Sequence, residues 1–309
     1  MNDYIPIFVP SYHRPNSCKT IQYFGRLGWP TNKLYVFIDS EADDTEAYQE
    51  MCDKVGCNLI VFDMEEARAR YDYVHRPTPA RRSAGQARNM FQDYAKSVGI
   101  EFYCVIDDDT VNYEIRHCGE KYRKANLQDI SSVYNAIHEF MKRQRIGIFG
   151  VAQTGDLIGG MRENRYLIYK VMNTTFYNVP YIYRGERGVQ DDDTSMFVGV
   201  YNAGLFTGST YQGIVLQQTQ SAKQSGGLTD LYKEAKLLNK SLVVPIQFPS
   251  AVYAERQIKN GGRLHHHIVN NNLIPKIIKN VKGRGNIAWD TYPEDYPFTN
   301  EPRRNNVKK

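Results

Sequence analysis

The chain has 309 residues, and its apolar fraction of 41% is enough for the core of one large α/β domain or of two smaller ones. Its net charge of +5, from 39 Lys and Arg residues against 34 Asp and Glu residues, is compatible with a polyanionic partner and does not identify one. Five cysteines without a CxxC spacing argue against a structural zinc site, and neither a signal-like N-terminus nor an apolar run of about 18 residues is present. We therefore expect a soluble, cytoplasmic protein.

Strand and helix patterns alternate through the first third of the chain. Short apolar runs predict strands over residues 5–9, 34–38, 58–62 and 102–106. Helical spacing of apolar residues predicts helices between them, over residues 17–27, 45–55 and 83–98. Strands separated by helices are typical of a mostly parallel sheet with right-handed crossovers. Residues 1–110 are therefore predicted to form a nucleotide-binding half of an α/β domain.

The pattern becomes less regular after residue 110. A helix is predicted over residues 127–143, and strands are predicted over residues 146–151, 166–177 and 242–246. We interpret residues 111–272 as a second, mixed half of the same domain. Residues 273–309 are predicted to be a basic, loop-like C-terminal tail, since they carry many Lys and Arg residues.

Three consecutive aspartates, Asp107, Asp108 and Asp109, follow directly on the apolar run at 102–106. Unpaired carboxylates are too costly to bury, so the strand must end there, at the rim of a sheet where ligands of open α/β folds bind. Because side chains alternate along an extended chain, Asp107 and Asp109 would point the same way. That arrangement suits a Mg²⁺ or Mn²⁺ ion shared with a diphosphate. Helix caps or turn residues are the plainer alternative.

Four motifs in a fixed order carry a resemblance to a known family. They are IPIFVPSY at 5–12, FID at 37–39, GQARN at 85–89 and VIDDD at 105–109. In this order the motifs resemble the GT-A glycosyltransferases, whose DxD motif binds a metal and the diphosphate of a sugar donor. Among these enzymes the chain is most similar to the TET-associated glycosyltransferases, phage enzymes that glycosylate modified DNA bases.

The resemblance implies a GT-A fold, which is α/β, and a UDP-sugar donor with Mn²⁺ or Mg²⁺. Residues 1–110 would bind the nucleotide-sugar, and residues 111–272 would bind the acceptor and carry the catalytic groups. The implied donor-binding residues are Pro10, Ser11, Tyr12, Arg14, Asp39, Arg81, Arg88, Asp107 and Asp108.

Among these residues, the first three would line the base pocket, and Asp39 would accept a hydrogen bond from the uracil or the ribose. Arg88 would face the diphosphate or the sugar, as Arg81 or Arg82 could from the preceding loop. The role of Asp108 is left open. For Arg88, the plainer alternative is a solvent-facing residue or an ion pair with a nearby carboxylate.

A second acidic cluster, at residues 191–193, lies where inverting GT-A enzymes carry the carboxylate that acts as general base. The family pattern is usually Glu-Asp, whereas this chain has Gln-Asp-Asp-Asp at 190–193. The register is therefore open, with Asp192 favoured as the base and Asp191 as the alternative. Neighbouring carboxylates raise one another's pKa, which would keep one of them poised to accept a proton. A cap on the element that follows is the plainer reading.

Three consecutive histidines, at residues 265–267, offer a further metal ligand. Many GT-A enzymes complete the metal site with a late histidine, and neutral imidazole binds Mn²⁺ well. The metal ligands implied by the resemblance are therefore Asp107, Asp109 and one histidine, for which we take His266. Polar loop residues or nucleic-acid contacts explain the same histidines equally well.

These features favour an inverting, metal-dependent glycosyltransferase whose acceptor is hydroxymethylcytosine or another 5-hydroxymethylpyrimidine in phage DNA, which places it in the host cytoplasm. A glycan, lipid-linked sugar or protein acceptor is the main alternative. A metal-dependent nuclease or phosphoryl-transfer enzyme could use both acidic clusters, but it leaves the signals of the first two strands unexplained. A non-catalytic binding module would not need the second acidic cluster.

Overall fold

The computed structural model describes most of the first half of the chain and selected segments of the second. The described residues are 4–70, 84–117, 123–126, 129–153, 173–181, 192–202, 205, 207–209, 214–220, 237–257 and 263–273. Two predicted site residues, the donor residue Arg81 and the alternative base Asp191, lie outside the described residues. The predicted basic tail also lies outside them, except for its first residue.

The first half alternates strands and helices as predicted. Its strands are β1 (Ile7–Pro10), β2 (Leu34–Asp39), β3 (Asn58–Phe62) and β4 (Phe102–Ile106). Its helices are α1 (Lys19–Arg26), α2 (Thr45–Val55), α3 (Met64–Arg70) and α4 (Ala84–Ser97), with a 3₁₀ turn at Thr31–Lys33 before β2. The four predicted strands and three predicted helices of this half are confirmed, and α3 is an additional helix.

The second half contains shorter elements. Its strands are β5 (Thr110–His117), β6 (Arg123–Asn126), β7 (Ile148–Gly150), β8 (Ala152–Gln153), β9 (Thr174–Asn178), β10 (Thr207–Ser209), β11 (Ile214–Gln220), β12 (Val252–Gln257) and β13 (Arg263–Ile268). Its helices are α5 (Ile130–Gln144), α6 (Asp192–Asn202), α7 (Leu237–Gln247) and α8 (Asn270–Leu273), with a 3₁₀ turn at Val179–Tyr181. None of the helices in the described part of the chain is long and apolar enough to cross a membrane.

The main sheet joins both halves in the order β10-β7-β9-β4-β1-β2-β3. β4, β1, β2 and β3 run parallel, β9 runs antiparallel to β4 and β7, and β10 runs parallel to β7. The predicted α/β class with a mostly parallel sheet is therefore confirmed. Since β1, β2 and β4 point the same way, their carboxyl ends lie at one edge of the sheet.

Two smaller sheets complete the described part of the fold. β6, β5, β11 and β8 form one of them, and β12 and β13 form an antiparallel hairpin. β5 follows β4 after a turn that contains the three aspartates, so the two sheets meet at the predicted metal site.

The main sheet separates two apolar clusters because successive side chains of a strand point to opposite faces. Ile7 and Val9 of β1 pack with α1, α2 and α5, whereas Phe8 between them packs with α3, α4 and α6. The rings of Phe8 and Tyr103 stack with their centroids 4.6 Å apart. The core therefore holds β1 and β4 in register beneath the edge where their carboxyl ends meet.

The strand predicted at residues 242–246 is wrong, because this segment belongs to helix α7. Val243 and Val244 are both fully buried, since the helix packs against α6 on one side and the β12–β13 hairpin on another. A short apolar run fits a buried strand and a buried helix equally well, and packing decides between them. Pro245 lies near the end of α7, where fewer helical hydrogen bonds remain to be lost.

Candidate functional site

The candidate site lies at the edge of the sheet where β1, β2 and β4 end. Pro10 ends β1, Asp39 ends β2, and Asp107 follows the last residue of β4. The amide of Ser11 donates a hydrogen bond of 3.0 Å to the carbonyl of Phe37, which keeps the chain leaving β1 against β2. The predicted donor residues of three separate sequence segments therefore meet at one edge.

Thr20, in the first turn of α1, holds the backbone of the aspartate turn (residues 107–109). Its amide donates to the carbonyl of Asp108 at 3.2 Å, and its hydroxyl donates to the carbonyl of Asp107. The same hydroxyl accepts a hydrogen bond of 3.1 Å from the amide of Thr110. Thr20 and Thr110 are fully buried, so these bonds fix the turn from beneath.

Asp108, the middle aspartate, points into the protein. Its carboxylate lies 2.5 Å from Nη1 of Arg14 and accepts a hydrogen bond of 2.8 Å from the Ser11 hydroxyl. The Arg14 and Asp108 side chains are only 12% and 6% exposed. Asp108 therefore anchors the loop after β1, and its direct contact with a donor remains a prediction.

Tyr48 of α2 extends this network. Its phenol oxygen accepts a hydrogen bond of 2.9 Å from the Arg14 amide and lies 2.7 Å from the Ser11 hydroxyl. Because the single proton of Ser11 is directed to Asp108, Tyr48 must donate to Ser11. The result is one directed chain of hydrogen bonds from the Arg14 amide to the Asp108 carboxylate.

Burial dominates the acid–base properties of this network. Burial raises the pKa of the Asp108 carboxyl above its usual value, and the Arg14 guanidinium and the Ser11 hydroxyl oppose that rise. Burial also raises the pKa of Tyr48, whose hydrogen bonds with Ser11 and Arg14 oppose the shift. Tyr48 is therefore neutral at physiological pH and able to donate to Ser11.

Asp107 and Asp109 flank Asp108 and are both partly exposed, unlike the buried residue between them. Asp107 Oδ1 lies 3.3 Å from Nη2 of Arg88 on α4, and the two side chains are 27% and 11% exposed. Partly exposed carboxylate oxygens are the donors that Mg²⁺ and Mn²⁺ prefer. The residues at this turn therefore fit a divalent cation, although the ligand set itself remains a prediction.

The base side of the predicted site includes Pro10, Ser11 and Tyr12, which are all partly exposed. Asp39 is 6% exposed, and one of its carboxylate oxygens accepts a hydrogen bond of 3.0 Å from the amide of Glu41. This bond orients the carboxylate at the end of β2. The structure thus gathers these residues at the sheet edge, and their contacts with a nucleotide remain predictions.

Sequence reasoning missed a group of metal-ligand types beside the base side. His13, Asp43 and Asp44 place one ligand atom each within 4.8 Å of one another. The Nδ1 atom of His13 lies 3.4 Å from Asp43 and 3.3 Å from Asp44. Asp43 is largely exposed, and exposed acidic groups of this kind are common without a metal. The group joins the loops after β1 and β2, which the sequence alone does not place together.

The second acidic cluster lies at the start of α6. Asp192 is the first residue of that helix, and its side chain lies outside the described part of the structure. Asp193 accepts a hydrogen bond of 2.8 Å from the amide of Thr194. The Thr194 hydroxyl lies 3.3 Å from Nε2 of His266, so the predicted histidine reaches the first turn of α6.

The other two histidines of β13 differ in their surroundings, because the His265 ring lies beside that of His266, with centroids 4.7 Å apart, whereas His267 contacts β12. His267 stacks on Tyr253 of β12 with ring centroids 5.5 Å apart, and its Nε2 lies 3.6 Å from Glu255. His265 pairs in register with Glu255. The choice of His266 among the three, and its ligation of a metal, therefore remain predictions.

Comparisons with known proteins identify one family model that matches the chain. The model is described as TET-Associated Glycosyltransferase, and it matches residues 5–227. No curated protein sequence matches the chain.

Solved structures with a similar arrangement include glucosyl-3-phosphoglycerate synthase from Mycobacterium tuberculosis. Its complex with Mn²⁺, UDP and phosphoglyceric acid is 10% identical to this chain with a TM-score of 0.44, and 86% of each chain is covered. Its complex with Mg²⁺ and UDP is 8% identical with a TM-score of 0.43, and again 86% of each chain is covered. Similarity at this level transfers neither a ligand nor a reaction to this chain.

Proposed function

Because the chain belongs to the TET-associated glycosyltransferase family, it is a glycosyltransferase, and we propose that it moves a sugar from a UDP-sugar to a 5-hydroxymethylpyrimidine in DNA. Family membership and the observed sheet confirm the resemblance, the GT-A fold class and the enzyme class predicted from four ordered motifs. The family description and the net charge of +5 support the DNA acceptor.

The observation that carries the donor proposal is the arrangement of the aspartate turn. Asp107 and Asp109 are partly exposed at the edge where β1 and β2 also end, and Arg88 lies beside Asp107. An arginine beside one accessible carboxylate, with a second accessible carboxylate two residues further on, suits a diphosphate that shares a cation with the protein. Pro10, Tyr12 and Asp39 would then face the base and the ribose.

In this proposal Asp107 and Asp109 hold Mn²⁺ or Mg²⁺, with His266 as a further ligand. When bound, the ion would neutralise charge on the diphosphate as its bond to the sugar breaks. Arg88 would stabilise the same developing charge from the helix side.

The second acidic cluster would carry the proton transfer. Asp192, or Asp191 as the alternative, would take the proton from the acceptor hydroxyl as its oxygen bonds to the anomeric carbon. The bond from that carbon to the diphosphate breaks in the same step, and UDP leaves with the electron pair. Attack from the face opposite the leaving group inverts the configuration of the sugar.

In this proposal three parts of the chain have different roles. Residues 1–110 bind the nucleotide-sugar, residues 111–272 bind the acceptor and supply the base, and residues 273–309 contribute positive charge toward DNA. The base would have to leave the duplex for its hydroxymethyl group to reach the anomeric carbon.

Mass spectrometry of treated oligonucleotides tests this function. A duplex containing one 5-hydroxymethylcytosine is incubated with a panel of UDP-sugars and Mn²⁺, and we expect a gain of one sugar mass with at least one donor. The same duplex with ordinary cytosine should show no gain, because it lacks the attacking hydroxyl. Asp192→Asn should retain UDP binding and lose transfer.

Two outcomes would change the proposal in different ways. Transfer to a glycan or protein acceptor without any transfer to DNA would replace the acceptor and leave the donor site intact. Failure of the wild-type protein to bind UDP with Mn²⁺ would remove the donor assignment itself.

A further inference from the structure

We infer that Arg14 and Asp108 form a positioning pair, which fixes the base side of the donor site relative to its metal side, the turn that carries Asp107 and Asp109. The inference rests on the proposed function for the identity of the donor. It assigns to the middle aspartate a role different from that of its neighbours.

Arg14 and Asp108 connect two segments that are far apart in the sequence. Arg14 lies in the loop after β1, and Asp108 lies in the turn after β4, 94 residues later. β1 and β4 are neighbours in the sheet, so the pair bridges the two chain segments that leave the sheet edge side by side. Ser11, in the same loop, binds the second carboxylate oxygen of Asp108, so both oxygens are used for this contact.

Tyr48 connects the loop after β1 to α2. Tyr48 is fully buried, and its hydroxyl binds both Ser11 and the Arg14 amide. The loop after β1 is therefore held from two sides, by the aspartate turn and by a core residue of α2. A displacement of either side would move Ser11, which is predicted to line the base pocket.

Two arginines offset part of the negative charge of the aspartate turn. Three adjacent carboxylates repel one another, so their negative charges need compensation when they are held in one turn. The positive charge of Arg14 offsets the negative charge of Asp108, and that of Arg88 offsets the charge of Asp107. Because Arg14 offsets the charge of Asp108 inside the protein, the negative charge that faces a cation is carried by the two partly exposed aspartates.

The cost of the pair supports a positioning role. Burying two opposite charges is often no better for stability than burying apolar groups of the same size. Neutral groups could hold the loop, as the hydrogen bond between Tyr48 and Ser11 already does in part. A charged pair with a fixed geometry is better suited to keeping one register between the loop and the turn.

Binding measurements on a double-mutant cycle test the inference. The variants are Arg14→Met, Asp108→Asn and the double substitution, with Arg14→Lys as the conservative variant. We expect each single variant to weaken UDP binding at saturating Mn²⁺ by about tenfold to a hundredfold, because small displacements of a binding group have effects of this size. The double variant should lose less than the product of the two single losses, and Arg14→Lys should retain part of the affinity.

One further variant tests the connection to α2, and a second controls for the general effect of replacing an arginine. Tyr48→Phe removes only a hydroxyl and should fold, and we expect a loss of UDP affinity of about fivefold from the missing hydrogen bonds. Arg143→Met removes an arginine of α5 whose side chain is 75% exposed, and it should bind UDP as the wild type does. Binding of UDP and Mn²⁺ at wild-type strength by folded Arg14→Met and Asp108→Asn would overturn the inference.

Hydrogen exchange separates this inference from the proposed function. In Arg14→Met we expect faster exchange both in the loop at residues 11–18 and in the turn at residues 107–110, whether or not UDP is the donor. Unchanged exchange in the turn would overturn the pair as a link between the two segments. Failure of the wild-type protein to bind UDP, with the exchange effect present, would instead contradict the donor assignment.

Discussion

Arg88 of α4 lies 3.3 Å from the Asp107 carboxylate, which is one of the two partly exposed carboxylates of the aspartate turn. The Arg88 side chain is only 11% exposed, so its charge acts in a partly desolvated environment. In the proposed function Arg88 competes with the metal for Asp107 and also attracts the diphosphate.

Replacing Arg88 by Met should therefore weaken nucleotide binding without weakening metal binding. We expect UDP binding at saturating Mn²⁺ to weaken by about tenfold or more, because a charge-assisted contact to the diphosphate is lost. Mn²⁺ binding without UDP should be unchanged or stronger, since Asp107 loses a competing cation. Calorimetry with UDP and electron paramagnetic resonance of free Mn²⁺ measure the two quantities.

Arg88→Lys is the matched control, because it keeps the charge and loses the planar geometry. It should weaken UDP binding less than Arg88→Met does. Parallel losses of Mn²⁺ and UDP affinity in a folded Arg88→Met would indicate a purely structural role.

Asp109→Asn tests the metal ligand that the resemblance implies. We expect Mn²⁺-dependent UDP binding to weaken by about 100-fold, because an amide is a much poorer ligand than a carboxylate for a hard cation. UDP binding in EDTA should stay close to that of the wild-type protein in EDTA. Titration of Mn²⁺ against a fixed UDP concentration gives both values.

Asp53→Asn is a suitable control for Asp109→Asn. Asp53 is exposed on α2, where it accepts a hydrogen bond of 2.7 Å from Gln49 one turn earlier. The control should show the wild-type response to Mn²⁺. An Asp109→Asn protein with the same response would move the metal site away from the aspartate turn.

His266 and Thr194 provide a test of the proposed histidine ligand. If His266 binds the metal, His266→Ala should raise the Mn²⁺ concentration needed for UDP binding by about tenfold to a hundredfold. Thr194→Val should have a smaller effect in the same direction, because the Thr194 hydroxyl orients the imidazole at 3.3 Å. His267→Ala, which changes the histidine stacked on Tyr253, should leave this concentration unchanged.

A different result for His266 would be equally informative. A normal Mn²⁺ response combined with slow transfer would exclude metal ligation. It would place the histidine with the carboxylates proposed as general base at the start of α6, next to Asp193 and Thr194.

The sequence predicted the first half of the fold well because its signals are local. Apolar runs and helical periodicity located α2 and β4 with their observed ends at Thr45–Val55 and Phe102–Ile106. The same signals wrongly predict a strand in α7, where Val243 and Val244 are adjacent and both buried. An apolar run that is buried on several sides has no clear period.

The supporting residues of the site were not predicted for a different reason. Thr20 and Tyr48 look like ordinary residues of amphipathic helices, and their partners Thr110 and Arg14 lie 90 and 34 residues away. Such contacts depend on strand order and register, which local patterns do not specify. The sequence does not specify the role of Asp108 for the same reason, because the orientation of its side chain depends on where Arg14 lies.

Thr20→Val tests whether α1 holds the aspartate turn through a single hydroxyl. The change keeps the shape of the side chain but leaves the buried amide of Thr110 and the carbonyl of Asp107 without this partner. We expect the free energy of unfolding in urea to fall by about 1–3 kcal/mol. Thr45→Val is the matched control, since the Thr45 hydroxyl donates to Ala42 at the partly exposed start of α2 and its loss should cost less than about 1 kcal/mol. Equal losses in the two variants would show that the hydroxyl of Thr20 has no special role in fixing the turn.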